Sequence, residues 1–245
     1  MLVNANVFAP STATTLLLPT NTSPVATLIA GSDRSIGSAW GCGDGNHVVY
    51  QKLENDQTTL WRMDANGSNP VQLTADRNIV VPACSPDGQW ITYLDFGTIH
   101  TFMVSINGGT PSKLDTPLGG PQGFSFISPD GQSLLFQWQD PKNLGTRVRF
   151  DVTSLKGGPV LHSFERMIGG GSMAWAPDGR SIDYVVTRGG ISDIWRQPLS
   201  GGDPKQLTHL QSLLMYNFAW SGDGKMLLAT RGNRTADIVL LKKPH

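Results

Sequence analysis

The feature that most constrains this chain is a turn that recurs five times. An Asp-Gly dipeptide precedes an alternating apolar segment in "GCGDGNHVVYQ", "CSPDGQWITYLD", "ISPDGQSLLFQ", "WAPDGRSIDYVV" and "WSGDGKMLLAT". The aspartates are Asp44, Asp87, Asp130, Asp178 and Asp223, at intervals of 43, 43, 48 and 45 residues. A period of this length indicates similar supersecondary units that cover one another.

Each repeat contains four segments with the pattern of short strands. One precedes the turn, as in "NFAW", and an alternating one follows it, as in "WITYLD". A third, such as "DIWRQP", leads through a Gly-rich turn such as "SGGDP" to a last strand such as "KQLT". Period-2 alternation punctuated by Gly, Pro, Asn and Asp is typical of strands, and the period suits a propeller blade. We therefore predict an all-β propeller with four-stranded antiparallel blades.

The repeats divide a single domain into one partial copy and five fuller ones. The partial copy is residues 1–35, and the repeats are about 36–76, 77–118, 119–165, 166–210 and 211–245. This division predicts about six blades. The partial copy supplies outer strands and the last copy inner ones, so the ring closes if residues 25–29 pair with residues 238–241. Alternatively, the chain is a fragment of a longer protein.

The repeated aspartates are interpreted as turn residues. In "SPDG", proline sets φ at the first corner, the Asp carboxylate accepts local backbone hydrogen bonds, and Gly accepts positive φ. A calcium ion in each turn is the alternative, but it needs six or more oxygens where each turn offers one carboxylate. The sequence therefore predicts neither a metal nor a cofactor.

Two cysteines and several tryptophans recur at matching places. Cys42 and Cys84 lack metal-ligand spacing and are interpreted as two buried thiols. A disulfide between neighbouring blades is the alternative, because it needs Cα atoms within about 7 Å. Packing between blades is predicted for the recurrent tryptophans, with a ligand cage as the alternative. They are Trp40, Trp175 and Trp220 before the turn, and Trp61 and Trp195 in the third strand.

Charge and hydropathy argue against two classes of partner. The 19 basic and 19 acidic residues cancel, so no electrostatic attraction to nucleic acid or an anionic membrane is expected. No run of 18 apolar residues is present, which predicts no direct insertion into a membrane.

The succession "WAPDG", "IDY", "DIW" and "GGDPKQLT" resembles the TolB-like (WD40-like) propeller repeat, from about Ile36 to the C-terminus. The segment from "DIWRQP" onward is similar to the C-terminal propellers of bacterial multidomain regulators, which follow a kinase or a winged-helix domain. The resemblance implies a binding surface without catalytic residues, and other domains before it in the full gene. For a TolB-like protein it implies the periplasm; otherwise the compartment stays unknown.

Catalytic motifs are missing from the sequence. The five histidines have no metal-ligand spacing, and no G-x-S-x-G elbow is present. We therefore predict a non-enzyme: a binding module that forms the sensory or scaffold part of a larger bacterial regulator. The alternatives are a TolB-like periplasmic protein of the cell envelope, the propeller domain of a prolyl-oligopeptidase-type peptidase, and an enzyme with its site in the channel.

A protein or small-molecule ligand is expected at the channel mouth. Propellers usually bind there, through loops that enter the first strand and loops between the second and third strands, and Arg and Tyr are favoured in such contacts. The candidates in those loops are Arg77, Asn78, Gln122, Arg166, Arg188, Tyr216, Asn217 and Arg231.

Overall fold

The computed structural model describes residues 2–3, 16–19, 27–28, 36–75, 78–114, 125–139, 148–166, 173–220 and 224–233. Within these ranges the chain forms 21 β-strands and no helix. None of these residues therefore belongs to a helix that could cross a bilayer. Every sheet is an antiparallel meander in which neighbouring strands are also consecutive in sequence.

The strands form six sheets. Blade 1 contains β1 (Leu2–Val3), β2 (Leu16–Pro19) and β3 (Thr27–Leu28). Blade 2 contains β4 (Ile36–Gly41), β5 (His47–Glu54), β6 (Gln57–Asp64) and β7 (Val71–Gln72). Blade 3 contains β8 (Ile79–Cys84), β9 (Trp90–Asp95), β10 (His100–Ser105) and β11 (Ser112–Lys113). Blade 4 contains β12 (Ser125–Ile127), β13 (Ser133–Gln139), β14 (Val148–Ser154) and β15 (Val160–Arg166). Blade 5 contains β16 (Met173–Trp175), β17 (Ser181–Arg188), β18 (Ile191–Pro198) and β19 (Lys205–Gln206). The terminal hairpin is β20 (Leu214–Trp220) with β21 (Leu227–Gly232).

The number of blades corrects the sequence prediction. Blades 2 to 5 have the four antiparallel strands that the repeat predicts, and blade 1 has three. The described strands thus form five blades rather than about six, because the last repeat contributes a two-stranded hairpin. The predicted ring closure involves residues 238–241, which lie outside the described residues.

The middle strands of blades 3 to 5 are buried on both sides, because each of these blades is covered by two neighbours. In β17, Ile182 and Tyr184 pack against residues of blade 4, including Phe150. The next residue, Val185, points the other way and packs with Phe218 of the terminal hairpin. Strand alternation therefore sends successive side chains to two different cores.

The turn prediction is confirmed for four of the five aspartates. The Oδ1 atoms of Asp44, Asp87, Asp130 and Asp178 accept a hydrogen bond from the amide two residues on, at 2.9 to 3.0 Å. Asp223 lies outside the described residues. These carboxylates therefore hold the backbone of the turn in its bend.

A serine strengthens two of these turns. The hydroxyl of Ser85 donates to the Asp87 carboxylate and accepts from the Trp90 amide at 2.9 Å. Ser128 does the same for Asp130 and the Ser133 amide, at 2.5 and 2.8 Å. Two hydrogen bonds lower the pKa of each aspartate below its ordinary range. The bond from the serine hydroxyl has the larger effect, and the bond from the backbone amide has the smaller one.

The interpretation of the cysteines as two thiols is wrong. Cys42 and Cys84 form a disulfide with their Cα atoms 5.1 Å apart, which joins the turns of blades 2 and 3. The two turns are docked so closely that a Cβ on Gly43 would overlap the Pro86 carbonyl. Because this docking is tertiary, the spacing of the cysteines in the sequence does not reveal it.

Four of the five recurrent tryptophans confirm the predicted packing between sheets. Trp175 is buried and donates from Nε1 to the Phe126 carbonyl of the preceding blade at 2.9 Å. Trp40, Trp195 and Trp220 are partly buried against clusters that join neighbouring sheets. Trp61 packs against residues of its own blade 2.

Candidate binding surface

The propeller has two ends with different roles. At one end, which we call the turn face, the Gly-rich turn of each blade is bonded to its Asp-Gly turn. The amides of Ala65, Ile106, Leu155 and Leu199 donate to the carbonyls of Asn46, Gln89, Gln132 and Arg180, at 2.8 to 2.9 Å. The opposite end, which we call the loop face, holds the turns between second and third strands and the segments that enter each first strand.

Two backbone bonds connect the segments of the loop face. The Phe96 amide donates to the Asn78 carbonyl at 2.9 Å within blade 3. The Ser192 amide of blade 5 donates to the carbonyl of Leu213, just before the terminal hairpin, at 3.2 Å. Entering segments and inter-strand turns are thereby held side by side, as a binding surface requires.

The structure groups some of the predicted residues and leaves others apart. Tyr216, Asn217 and Arg231 belong to the terminal hairpin, Arg188 ends β17 of the adjoining blade 5, and Asn78 lies on blade 3. Arg166 ends β15 of blade 4, and its backbone pairs with Val148. Arg77 and Gln122 lie outside the described residues.

Contacts within the protein hold the exposed arginines of blade 5 and the terminal hairpin. We call Arg188, Tyr216 and Arg231 the arginine cluster. The Arg188 guanidinium lies 5.2 Å from the centre of the Trp195 ring, a cation–π contact. Arg231 donates to the carbonyl of Ser212. Tyr216 is 47% exposed and lies at the irregularity in β20.

Asn217 has a structural role beside this cluster. Its side-chain Oδ1 accepts a hydrogen bond from the Phe218 amide at 2.9 Å, at the register shift between Met215 and Asn217. Its side chain is partly buried. We therefore leave Asn217 out of the contact surface and assign it to holding the irregular strand.

Two exposed apolar residues of the loop face were not predicted from the sequence. Leu53 is 45% and Phe96 63% exposed, and each lies nine residues after the aspartate of its turn. The alternation of "HVVYQKLE" and "WITYLDF" makes both residues resemble core positions. The signal that could have identified them is their distance from the turn, which places them at the far end of the blade.

Buried carboxylates among the described residues are held by arginines. Asp183 accepts from Arg196 at 2.7 and 2.8 Å, and Asp151 accepts from Arg149 at 2.9 Å. Within the described ranges, no three His, Cys, Asp or Glu side chains are grouped as metal ligands would be. The charged interior of these blades thus has an architectural explanation.

The fold and its turns define a class: a propeller of antiparallel four-stranded blades in which an Asp-Gly turn joins the first two strands of a blade. The family described as "TolB beta propeller domain" matches residues 45–244, and the chain belongs to this family. A TolB homolog from Chlorobium chlorochromatii is 26% identical over 151 residues, which are 59% of this chain and 32% of that protein. An uncharacterised protein from Agrobacterium fabrum is 29% identical over 136 residues, 52% of this chain and 42% of that protein.

A solved structure agrees with this assignment at the level of the fold. TolB from Acinetobacter baumannii superposes with a TM-score of 0.63 at 16% identity, covering 95% of this chain and 63% of that one. The aligned segments span less than half the length of both curated relatives. The similarity therefore establishes the propeller and leaves the activity of the whole protein open to proposal.

Proposed function

We propose that this chain is a non-catalytic TolB-like binding module whose loop face docks a protein partner. The observation that carries the proposal is the arginine cluster, which presents Arg188, Tyr216 and Arg231 at the loop-face ends of two adjoining sheets, blade 5 and the terminal hairpin. Arg and Tyr supply much of the binding energy in protein interfaces when a partner covers them. The contacts of Arg188 with Trp195 and of Arg231 with Ser212 restrict both arginines beforehand, which lowers the entropy lost on binding.

The roles of the carboxylates support a non-catalytic module. General acid–base chemistry needs a carboxylate that can reach a substrate proton. Asp44, Asp87, Asp130 and Asp178 are engaged in their turns, and Asp183 in its ion pair. A scaffold or sensory role in a larger bacterial protein would use the same loop face. The larger bacterial regulator predicted from the sequence is one such protein.

The disulfide supports a location outside the cytoplasm. Disulfides persist in oxidising environments such as the bacterial periplasm and are rare in the cytosol. The Cys42–Cys84 bridge therefore favours a position outside the cytoplasm, where a TolB-like protein of the cell envelope would act.

Site-specific photo-crosslinking in the bacterium that carries the gene tests the docking surface. A photoreactive amino acid at Tyr216 should give a discrete protein adduct that disappears when Arg231→Glu is added. The controls are the same probe at Leu161 on the outer strand β15 and at Trp90 on the turn face, both exposed. Adducts at the controls that match those at Tyr216, or adducts at Tyr216 that ignore Arg231→Glu, would contradict the proposal.

A substrate screen tests the non-catalytic part separately. The purified chain should show no peptidase, esterase or glycosidase turnover above buffer. Turnover that survives purification and is abolished by a substitution in a first strand, such as Ser125→Trp, would identify a channel enzyme instead.

A further inference from the structure

The loop face of blades 2 and 3 carries a second surface, which we call the apolar rim: Leu53, Asn78 and Phe96. Leu53 and Phe96 occupy the same place in adjacent repeats. The corresponding residues of the other repeats, Gln139, Thr187 and Gly232, are polar or lack a side chain. An exposed apolar pair on neighbouring blades is thus a local departure from the repeat, as expected for an interaction site.

Hydrogen bonds tie both loops of the apolar rim to one segment of blade 3. Thr58, opposite Leu53 in the blade 2 hairpin, donates from Oγ1 to the Ile79 carbonyl of blade 3 at 2.8 Å. The amide of Phe96 donates to the carbonyl of Asn78, the residue next to Ile79. The loops that carry the two exposed side chains are therefore both bonded to the Asn78–Ile79 segment.

Rigid turns present both apolar side chains. The turn after Leu53 has Asn55 and Asp56 at φ of 50° and 59°, the two-residue hairpin geometry that suits Asn and Asp. The loop of Phe96 is held by Asp95, which accepts from the Gly97 amide and the Thr98 hydroxyl, each at 2.8 Å. Little ordering is left for a partner to impose, which favours binding.

Charge indicates what kind of segment fits. The two loops carry three carboxylates, those of Glu54, Asp56 and Asp95, and one cation, Lys52. The Lys52 Nζ atom lies 2.6 Å from Oε1 of Glu54. The apolar rim is therefore acidic, whereas the arginine cluster on the same face is basic. A partner with basic residues beside apolar ones would be attracted to the rim and repelled by the arginine cluster.

We propose that the apolar rim binds an extended protein segment that carries two apolar side chains next to lysine or arginine. The inference rests on the proposed use of the loop face for docking and names the chemistry recognised at one part of it. Leu53 and Phe96 supply the apolar contacts, and Glu54 and Asp56 attract the basic side chain.

Selection from a random dodecapeptide phage library against the full chain tests the inference. We expect enriched peptides to combine Leu, Ile, Phe, Met or Trp with Lys or Arg. The best one, made synthetically, should lose at least about tenfold in affinity for Leu53→Ser/Phe96→Ser by fluorescence anisotropy. Trp90→Ser changes another exposed apolar residue, on the turn face, and should stay within about twofold.

Charge reversal provides the second variant. Glu54→Lys lies at the exposed end of β5, should leave folding intact, and should weaken the basic peptide while strengthening an acidic analogue. Absence of enrichment, enrichment of acidic peptides, or equal affinity for Leu53→Ser/Phe96→Ser would overturn the inference. A self-association of the chain that this double variant abolishes would assign the rim to a second copy and also overturn it. None of these outcomes affects the crosslink at Tyr216, which tests the arginine cluster alone.

Discussion

Asp183 and Arg196 form a two-point ion pair across β17 and β18, with Nε–Oδ1 2.7 Å and Nη2–Oδ2 2.8 Å. The Asp183 side chain is fully buried, whereas that of Arg196 is 28% exposed. Trp220 of the terminal hairpin donates from Nε1 to Oδ2 of the same carboxylate at 2.9 Å. The hydrogen bond to Asp183 raises the pKa of Arg196 further above its ordinary value. One carboxylate thus connects blade 5 to the next sheet.

Loss of the arginine should destabilise the chain more than loss of the aspartate charge. Arg196→Met leaves a buried carboxylate with Trp220 as its remaining donor, and removing one partner of a buried pair costs about 3–5 kcal/mol. Asp183→Asn keeps an acceptor for Trp220 and leaves a cation that can reach water, so its cost should be about 2 kcal/mol. Urea unfolding measures both free energies. Arg188→Met, an exposed cation over Trp195, is the control and should cost less than about 1 kcal/mol; the reverse ranking would contradict this account.

The disulfide should contribute measurably to stability. It closes a loop with a sequence separation of 42 residues, for which chain entropy corresponds to roughly 2–4 kcal/mol. Cys42→Ser/Cys84→Ser should therefore unfold at a lower urea concentration than the oxidised protein. Dithiothreitol should lower the stability of the wild type to a similar level and leave the double variant unchanged. Two reactive thiols in protein prepared from an oxidising compartment would refute the bridge.

Alanine substitutions at two equivalent glycines distinguish the cost of straining a turn from the cost of disturbing the contact between neighbouring turns. Gly88 and Gly131 both have φ of 70° in their Asp-Gly turns, where an alanine costs about 1–2 kcal/mol. A Cβ on Gly88 would lie 2.6 Å from the Asp44 carboxyl group of the neighbouring turn, whereas a Cβ on Gly131 meets nothing within 4 Å. Gly88→Ala should therefore be more destabilising than Gly131→Ala by about 1 kcal/mol or more in chemical denaturation. Equal losses would show that the turns of blades 2 and 3 are less closely docked.

The serine–aspartate bonds predict an acid limb of stability. The pKa values of Asp87 and Asp130 are lowered in the folded state, mainly by Ser85 and Ser128. A lowered folded pKa gives stability that is present above the unfolded value, near pH 4, and is lost as pH falls through the folded one. Unfolding free energies of the wild type and Ser85→Ala/Ser128→Ala should therefore differ more at about pH 6 than at about pH 2.5. A difference that does not depend on pH would contradict this origin.

Local interactions explain what could be predicted. The Asp-Gly turns of blades 2 to 5, the strand pattern and the antiparallel blades follow from hydrogen bonds between residues that are close in sequence, from two to about twenty apart, which a sequence pattern records directly. The same reasoning identified Arg188, Tyr216 and Arg231 as loop-face candidates, because their distance from the turn places them at that end of a blade. Their use in binding stays a prediction.

The sequence by itself thus determined the repeat, the turn chemistry of Asp44, Asp87, Asp130 and Asp178, and the all-β class, since these depend on neighbours along the chain. The tertiary structure alone decided the Cys42–Cys84 bridge, the five-blade count and the junction of Asp183 with Trp220. It also decided that Leu53 and Phe96 face solvent although their pattern matches a core strand. The reason is that docking between blades brings together residues about 40 apart, and whether a neighbouring sheet covers an apolar side chain is not encoded in its local pattern.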